Sequence, residues 1–274
     1  MKKLFRICLI LPDDNPHALC FHEIGILLVN ALKDNGFECD FTVNHLDQYK
    51  TNIIVGYHLL EYTPDLRMYK YIPYQLEQLH STEFPFTSNM ENVLKHAHAV
   101  WDYSEKNIEL LKEKGIDAKI LVPGYHKELE MIEPAANKSV DILFYGSIGD
   151  RRKTILKELS KMFKVKALFG LYGVKRDKWI SRSRIILNIH HYSTQLFEAV
   201  RNSYLLNNQC FVLSENSFDY PYEKVNLPMV PYENLVDACA EFLKDSQKME
   251  QIRKENYEAF KQNYPMTELI KNVL

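Results

Sequence analysis

The stretch LNIHHYSTQLFEAVRNSYLLNNQCFVLSE, Leu187–Glu215, decides how this chain is read. It opens by closing the apolar run IILNIH, which has the composition of a buried strand. From about Gln195 the apolar side chains take helical spacing, and QCFVLSE returns to a strand. Strand, helix and strand in such short order make a βαβ unit, which needs a parallel sheet. The polar middle, with His190, His191, Glu198 and Arg201, falls directly after the first strand. In open α/β sheets ligands bind outside the carboxyl ends of the strands, so ionisable groups crowded there mark a place to look for chemistry.

The same alternation runs outward in both directions. Upstream in this half, VDILFYGS reads as a strand, RRKTILKELSKMF as a helix, KVKALFG as a strand and DKWISRSR as a short helix. Downstream, ENLVDACAEFLKD and the long SQKMEQIRKENYEAFKQNY read as helices before a short tail. The first half repeats the theme. RICLIL ends at Pro12, CFHEIGILLVNALKDNG is a helix stopped by Gly36, and FECDFTV, TNIIVGY and KYIPYQLEQL are β-rich. ENVLKHA and EKNIELLKEKG read as helices around HAVWDYS, and AKILVPGY supplies another strand. Between the halves, KELEMIEPAANKS (Lys127–Ser139) has no periodicity and contains Pro134, which makes it a linker. The expectation is an α/β protein of two Rossmann-like parallel-sheet domains with a cleft between them. The domains span residues 1–130 and 138–274, the last helix being a candidate to pack back on the first domain.

Composition narrows the class. The 274 residues are 46% hydrophobic and 26% charged, ordinary for a globular protein. No window approaches the ~18–20 uninterrupted apolar residues of a membrane span, and Arg6 breaks the apolar run near the start, which reads as a first strand rather than a signal peptide. The five cysteines are odd in number, scattered and without a Cys-x-x-Cys pair, which suits reduced thiols and a cytoplasmic location. Residues 1–135 hold 13 Lys+Arg against 20 Asp+Glu, and residues 136–274 hold 21 against 16. Between Arg151 and Arg184, 12 basic residues face only Glu158 and Asp177. A basic block on a mildly acidic protein favours a small anionic ligand over nucleic acid, which calls for a wider basic surface; a solvated basic face is the plain alternative.

The second-domain loops that follow strands are therefore the ones to inspect: Gly146-Ser147 with Arg151 and Arg152, Tyr172-Gly173, His190-His191 and Ser214-Glu215. Gly146 permits close backbone approach, and free N–H groups at the next helix start favour phosphate. Neither a Gly-x-Gly-x-x-Gly fingerprint nor a P-loop occurs, so a structural turn is the other reading of Gly146-Ser147. Glu198 and Arg201, three apart on a helix, share a face. A carboxylate there can accept from two vicinal hydroxyls, as a ribose presents them, while Arg201 forks a phosphate or locks Glu198. An intrahelical ion pair of little consequence is the alternative.

The run from VDILFYGS through Arg151-Arg152 to LNIHHY, FEAVRN and FVLSE resembles the nucleotide-sugar glycosyltransferases of the GT-B fold, particularly the spore-maturation-type (CgeB-like) bacterial and viral group. QLEQL and VWDYSEKNIELL in the first half are similar to that group as well. The resemblance implies a donor pocket with Glu198 on the ribose and Gly146, Ser147, Arg151 and Arg152 on the diphosphate. His190 then lies near the sugar, Tyr172 lines the pocket and Arg201 steadies it. Many retaining members carry a glutamate, seven residues, then a second glutamate; Glu198 matches the second, and this chain has His190 at the first position. The implied partners are a nucleotide-sugar donor and a hydroxyl-bearing acceptor, with no cofactor beyond the donor. With no Asp-x-Asp pair present, metal-independent transfer is expected. The acceptor base is expected from the first domain, with Glu77 and Asp13 put forward, alongside Asp14, His17, His22, Glu23 and His58, each also readable as structural or solvated. His45, His80, His96, His98 and His126 are read as ordinary. A non-catalytic nucleotide- or sugar-binding module and a DNA-base glycosyltransferase are the competing readings; the acidic first domain speaks against the latter.

Overall fold

The structure is a computed structural model that describes residues 3–60, 66–79, 85–192 and 194–274. The chain divides into two compact units, residues 1–129 with 264–274, and residues 130–263. His80 lies outside the described residues.

The first unit is built on parallel strands β1 (Leu4–Leu9), β2 (Glu38–Val43), β3 (Thr51–Val55), β4 (Lys70–Gln75), β5 (Trp101–Asp102) and β6 (Lys119–Ile120), in the spatial order β2-β1-β3-β4-β5-β6. Between them run the helices α1 (His22–Asp34), α2 (Ser88–Lys95) and α3 (Glu105–Glu113). The run LFRICL buries all but its first residue, as a strand covered on both faces must. Helix α1 lies close on β2, because a Cβ at Gly25 would stand 2.5 Å from the Phe41 ring. Arg6 and Asp40 tie β1 to β2 through two hydrogen bonds of 3.0 and 2.7 Å. Strands β5 and β6 are two residues each, much shorter than HAVWDYS and AKILVPGY led one to expect.

The second unit repeats the plan with β7 (Val140–Tyr145), α4 (Asp150–Ser160), β8 (Val165–Leu168), α5 (Gly173–Ile180), β9 (Ser183–Asn188), α6 (Ala199–Asn207), β10 (Val212–Glu215) and β11 (Met229–Val230). Its order is β11-β10-β9-β7-β8, again wholly parallel. Ile142, Phe144, Ile185, Leu187, Ile189 and Leu213 form one face of its core with Ile155, Leu159 and Leu235 from the helices. Each such side chain taken from water contributes about 1.5–3 kcal/mol. Helices α7 (Leu235–Lys244) and α8 (Ser246–Asn263) complete the unit.

The C-terminal boundary differs from the range 138–274. The long helix α8 stays with the second unit, and it is the tail, residues 264–274 with the short helix α9 (Met266–Leu269), that joins the first. Backbone hydrogen bonds at Tyr125 hold it: Tyr125 N donates to Tyr264 O (2.7 Å) and Met266 N donates to Tyr125 O (2.8 Å). Gly124 makes this possible, since a Cβ there would lie 2.3 Å from Tyr264 O.

Both sheets reverse direction in the same way. The first strand of each has its second on one side and its third on the other, so the switch points fall between β1 and β3 and between β7 and β9. Loops leaving adjacent strands there diverge to opposite faces and open a crevice at the carboxyl edge.

Candidate functional site

The crevice of the second unit is where the charged side chains gather. Strand β7 ends at Gly146, whose φ of +130° suits glycine alone. A Cβ there would lie 2.8 Å from Arg201 Nη2 and 3.7 Å from Arg152 Nη1, so the missing side chain makes room for two guanidinium groups. Across the crevice, β9 runs on through Ile189. Arg152 Nε and Nη2 both donate to Ile189 O, at 2.8 and 2.6 Å, and Nη1 donates to Ser147 O at 2.9 Å. The side chain of Arg152 thus laces the β7 loop to the β9 loop while wholly enclosed.

Glu198 closes the cluster. Its Oε1 lies 3.1 Å from Arg152 Nη2 and its Oε2 lies 2.8 Å from Arg201 Nη1. Arg201 Nη1 also donates to Asn188 Oδ1 (2.7 Å), and Asn188 Nδ2 donates to Ser214 Oγ (3.0 Å), which links the site to β10. The guanidinium of Arg201 stands 5.0 Å from the Tyr145 ring centre. Burial pushes the Glu198 carboxyl up, but the charges of Arg201 and Arg152 outweigh it and hold the group below the usual carboxylate range. Burial brings Arg152 down to about 10, against the pull of Glu198, and it remains a cation at neutral pH. Helix α6 begins at Ala199, not near Gln195; Gln195 has a φ of +52° and Glu198 is the N-cap residue. Glu198 and Arg201 therefore meet across the helix start, with Arg152 as a third member that spacing alone does not reveal.

A second ion pair flanks the first. Glu215, the last residue of β10, is buried and receives Arg151 Nη2 at 2.6 Å and Nη1 at 3.2 Å. Gln195 Nε2 (2.9 Å) and the backbone N of His190 (3.1 Å) also donate to it. Arg151 keeps 43% of its side chain exposed and stacks 4.2 Å from the Tyr232 ring centre. Helix α4 starts beside it with Gly149 as N-cap and no side-chain cap.

His190, expected near the sugar, is enclosed by the protein. The ring is fully buried, with Nε2 3.0 Å from both Asn216 O and Ser217 Oγ, while Nδ1 has no partner. Tyr172 caps α5 on the loop after β8, next to β7 in the sheet. Asn188 and Gln195 were not singled out in the sequence, and Glu215 was named only as part of a loop to inspect. The signal for Asn188 was a polar residue inside an apolar strand run, and for Glu215 a carboxylate ending one.

The first unit holds its own buried polar cluster at the carboxyl edge. Glu77 follows β4 and lies 3.6 Å from His58 Nε2, whose pKa burial lowers to about 4. Asn107 Nδ2 donates to both Glu77 O (2.7 Å) and Asp102 Oδ1 (3.1 Å). Burial raises the pKa of Asp102 well above the usual range, and its Oδ2 has no partner. Asp13 and Asp14 are exposed in the turn after β1, His17 is exposed on the 3-10 helix Pro16–Phe21, and His22 is exposed at the start of α1. Glu23 is buried on α1. Asp13 and Glu77 follow strands that β3 separates, and no contact joins them among the described residues.

These features define an α/β protein of two Rossmann-like parallel sheets with a polar cluster at a switch point, and solved structures share that fold. The chain is similar to T4 phage β-glucosyltransferase, with 12% identity, 98% of this chain and 97% of that one covered, and a TM-score of 0.58. It is likewise similar to α,α-trehalose 6-phosphate synthase from Burkholderia multivorans, with 8% identity, 100% and 98% covered, and a TM-score of 0.59. S. aureus TarM, solved with UDP and α-GlcNAc-glycerol, matches with 8% identity and a TM-score of 0.57 over 83% of this chain; the chain spans about half of TarM, 55% of its length. These are structures of the GT-B fold. In sequence, a protein of Acanthamoeba polyphaga mimivirus described as uncharacterized is 29% identical over 220 residues, covering 75% of this chain and 76% of that one. No family model matches the chain. Among the described residues no helix is long and apolar enough to cross a membrane.

Proposed function

We propose that this chain is a glycosyltransferase that moves a sugar from a nucleoside-diphosphate sugar to a hydroxyl-bearing acceptor without a metal ion. The observation that carries the reading is the Arg152–Glu198–Arg201 cluster at the switch point of the second unit, in a fold shared with glycosyltransferases. An ionised carboxylate offers about four lone-pair directions. Arg152 and Arg201 occupy one on each oxygen, which leaves one on each for the vicinal hydroxyls of a ribose. The diphosphate then lies over Gly146-Ser147 and the uncapped start of α4, where N–H groups and the helix dipole favour negative charge. Arg151 is the cation placed to reach it, because 43% of its side chain is exposed. Arg152 acts through its neighbours, as a positioning residue for Glu198 and the two loops.

As the glycosidic bond breaks, the leaving diphosphate gains negative charge. Fixed cations and N–H groups already aimed at it lower the barrier, and this is the work proposed for Arg151 and the α4 terminus. The UDP held by TarM supports the donor class. In the first unit, Glu77 is the better acceptor base than Asp13. His58 beside it is uncharged at neutral pH, and Glu77 retains partial exposure, whereas Asp13 sits alone in an exposed turn. The motif run 140–215 points to the spore-maturation-type group within this class.

One observation favours a second reading, a non-catalytic module that grips a nucleotide or sugar: the ring of His190, at the position where retaining members carry a glutamate, is sealed from solvent. Two assays separate them. A thermal-shift screen in EDTA against UDP-, GDP-, ADP- and CMP-linked sugars identifies a donor, since a ligand of the native state raises Tm. Release of nucleoside diphosphate from that donor then marks an enzyme; binding without release marks a module; no shift with any donor overturns both.

A further inference from the structure

The first unit has a cavity of about 460 Å³ at the opposite edge of its sheet, where the strands begin. Lys3, Lys70, Lys95 and Lys119 line it together with His98, and Asp117 is the one acidic side chain in the lining. The sheet explains the convergence. Lys3 directly precedes β1, Lys70 is the first residue of β4 and Lys119 the first of β6, while the register pairs Phe5 with Thr51 and Thr51 with Lys70. Parallel strands thus start level and bring these ammonium groups to one rim.

Some of this charge has a local explanation. Helices α2 and α3 end at this edge, and their carbonyl ends favour cations nearby. Lys95, in the last turn of α2, reaches Glu91 at 2.5 Å, and Lys119 Nζ donates to Val273 O at 3.2 Å. Lys3 and Lys70 are not on helices, and among the described residues neither side chain has an ion-pair partner. Their field is felt at His98: burial lowers its pKa, and the charges of Lys70 and then Lys3 lower it further. Beneath the rim Phe5, Ile72 and Val100 leave a small apolar patch in a lining that is otherwise largely polar. A volume in the range of small-molecule pockets, unpaired cations at the mouth and a small apolar patch below them describe a receptor for a small organic anion. Ammonium groups are compact, strongly hydrated point charges, better matched to a phosphate approached from several sides than to a planar fork. A long polyanion does not enter a cavity of this size.

We infer that this cavity binds a small phosphate-bearing organic molecule, with Lys3 and Lys70 on the phosphate and the apolar patch on the remainder. The site is independent of the donor pocket, which lies in the other unit. The probe is phenyl phosphate, with inorganic phosphate, phenol and sulfate as comparisons, followed by NMR of the His98 imidazole and by calorimetry at constant ionic strength. Phenyl phosphate is expected to bind more tightly than any of the other three and to raise the His98 pKa, because an added anion stabilises the imidazolium. The Lys3→Gln/Lys70→Gln double variant should bind it about tenfold more weakly, since exposed ion pairs contribute up to ~1 kcal/mol each. Its melting temperature, held close to that of the parent, shows that the fold is intact. Lys254→Gln, an exposed change on α8 in the other unit and away from the donor pocket, should leave phenyl phosphate binding unaltered. Equal binding of sulfate and phenyl phosphate, an unmoved His98, or full affinity in the double variant each overturns the inference, and none of these results touches the donor reading.

Discussion

Replacing Glu198 by Gln separates two consequences that the cluster geometry couples. The carboxylate lies 2.8 Å from Arg201 and 3.1 Å from Arg152, and its side chain is 14% exposed. Removing one partner of a largely enclosed ion pair costs ~3–5 kcal/mol, so the second unit should melt markedly lower. Its effects on ligands should oppose each other. Two guanidinium groups lose their counter-charge, and a unit charge ~8 Å from a phosphate at an effective dielectric of 20 is worth about 2 kcal/mol, so pyrophosphate should bind more tightly. The ribose hydroxyls lose bonds to a charged acceptor, worth ~1.5–3 kcal/mol. The informative quantity is the ratio of nucleoside-diphosphate to pyrophosphate affinity, in which the change at the phosphates cancels. Calorimetric titration of both ligands at one salt concentration should show the ratio falling about ten- to a hundredfold. Should the Gln variant be too unstable to titrate, Glu198→Asp keeps the charge, shortens the reach and should lower the same ratio. A ratio unchanged in a folded variant would refute the placement of ribose on Glu198.

Further outcomes follow from the same geometry. Gly146→Ala puts a Cβ into the left-handed region and 2.8 Å from Arg201 Nη2, so chemical denaturation should show a loss of ~1–3 kcal/mol and nucleotide affinity should fall with it. Arg151→Lys leaves Glu215 with Gln195 and the His190 amide as donors, so stability should hold while nucleotide affinity drops about tenfold with the lost fork. Nucleotide affinity measured in EDTA should equal that in Mg²⁺; a collapse in EDTA would contradict the metal-independent scheme. Asp102 has a folded pKa above its unfolded value of ~3.9, so its contribution to stability is full below that pH and lost as pH rises toward the folded pKa. Asp102→Asn, which keeps an acceptor for Ser104 N and Asn107 Nδ2, should therefore gain stability over the parent as pH rises from ~4 toward the folded pKa of Asp102. Denaturation curves with parallel pH dependence for the two proteins would show that Asp102 is ionised in the fold.

The architecture was legible because its signals are local. Runs such as IILNIH and VDILFY are apolar throughout, as strands covered on both faces must be, and the helices between them carry their own periodicity. What escaped the sequence depends on distant partners. Glu198 meets Arg152 across 46 positions and Arg151 meets Glu215 across 64. No spacing rule connects residues that the switch point alone brings together. The start of α6 was misplaced because Gln195 adopts a positive φ that its residue type does not announce. His190 was placed near the sugar, and its ring bonds the Asn216–Ser217 segment, a contact set by the turn after β10 that no spacing in the sequence marks. In the first unit the linked Gln75, Glu77, Asp102 and Asn107 were spread over an ordinary strand, a loop and a helix start, and Glu77 alone was named as a site residue. The tail's return to the first unit rests on Gly124, whose lack of a side chain has meaning only once Tyr264 lies against it.

The central claim is that the crevice between β7 and β9 holds a nucleotide sugar. Calorimetric titration of the intact chain in EDTA with UDP-, GDP-, ADP- and CMP-linked sugars, repeated on Arg201→Lys, tests it most directly. One donor should bind with one-to-one stoichiometry and about tenfold more weakly in the variant, whose ammonium cannot serve Glu198 and Asn188 with the same planar fork. Binding of none of these donors, or equal binding to a folded Arg201→Lys protein, would contradict it.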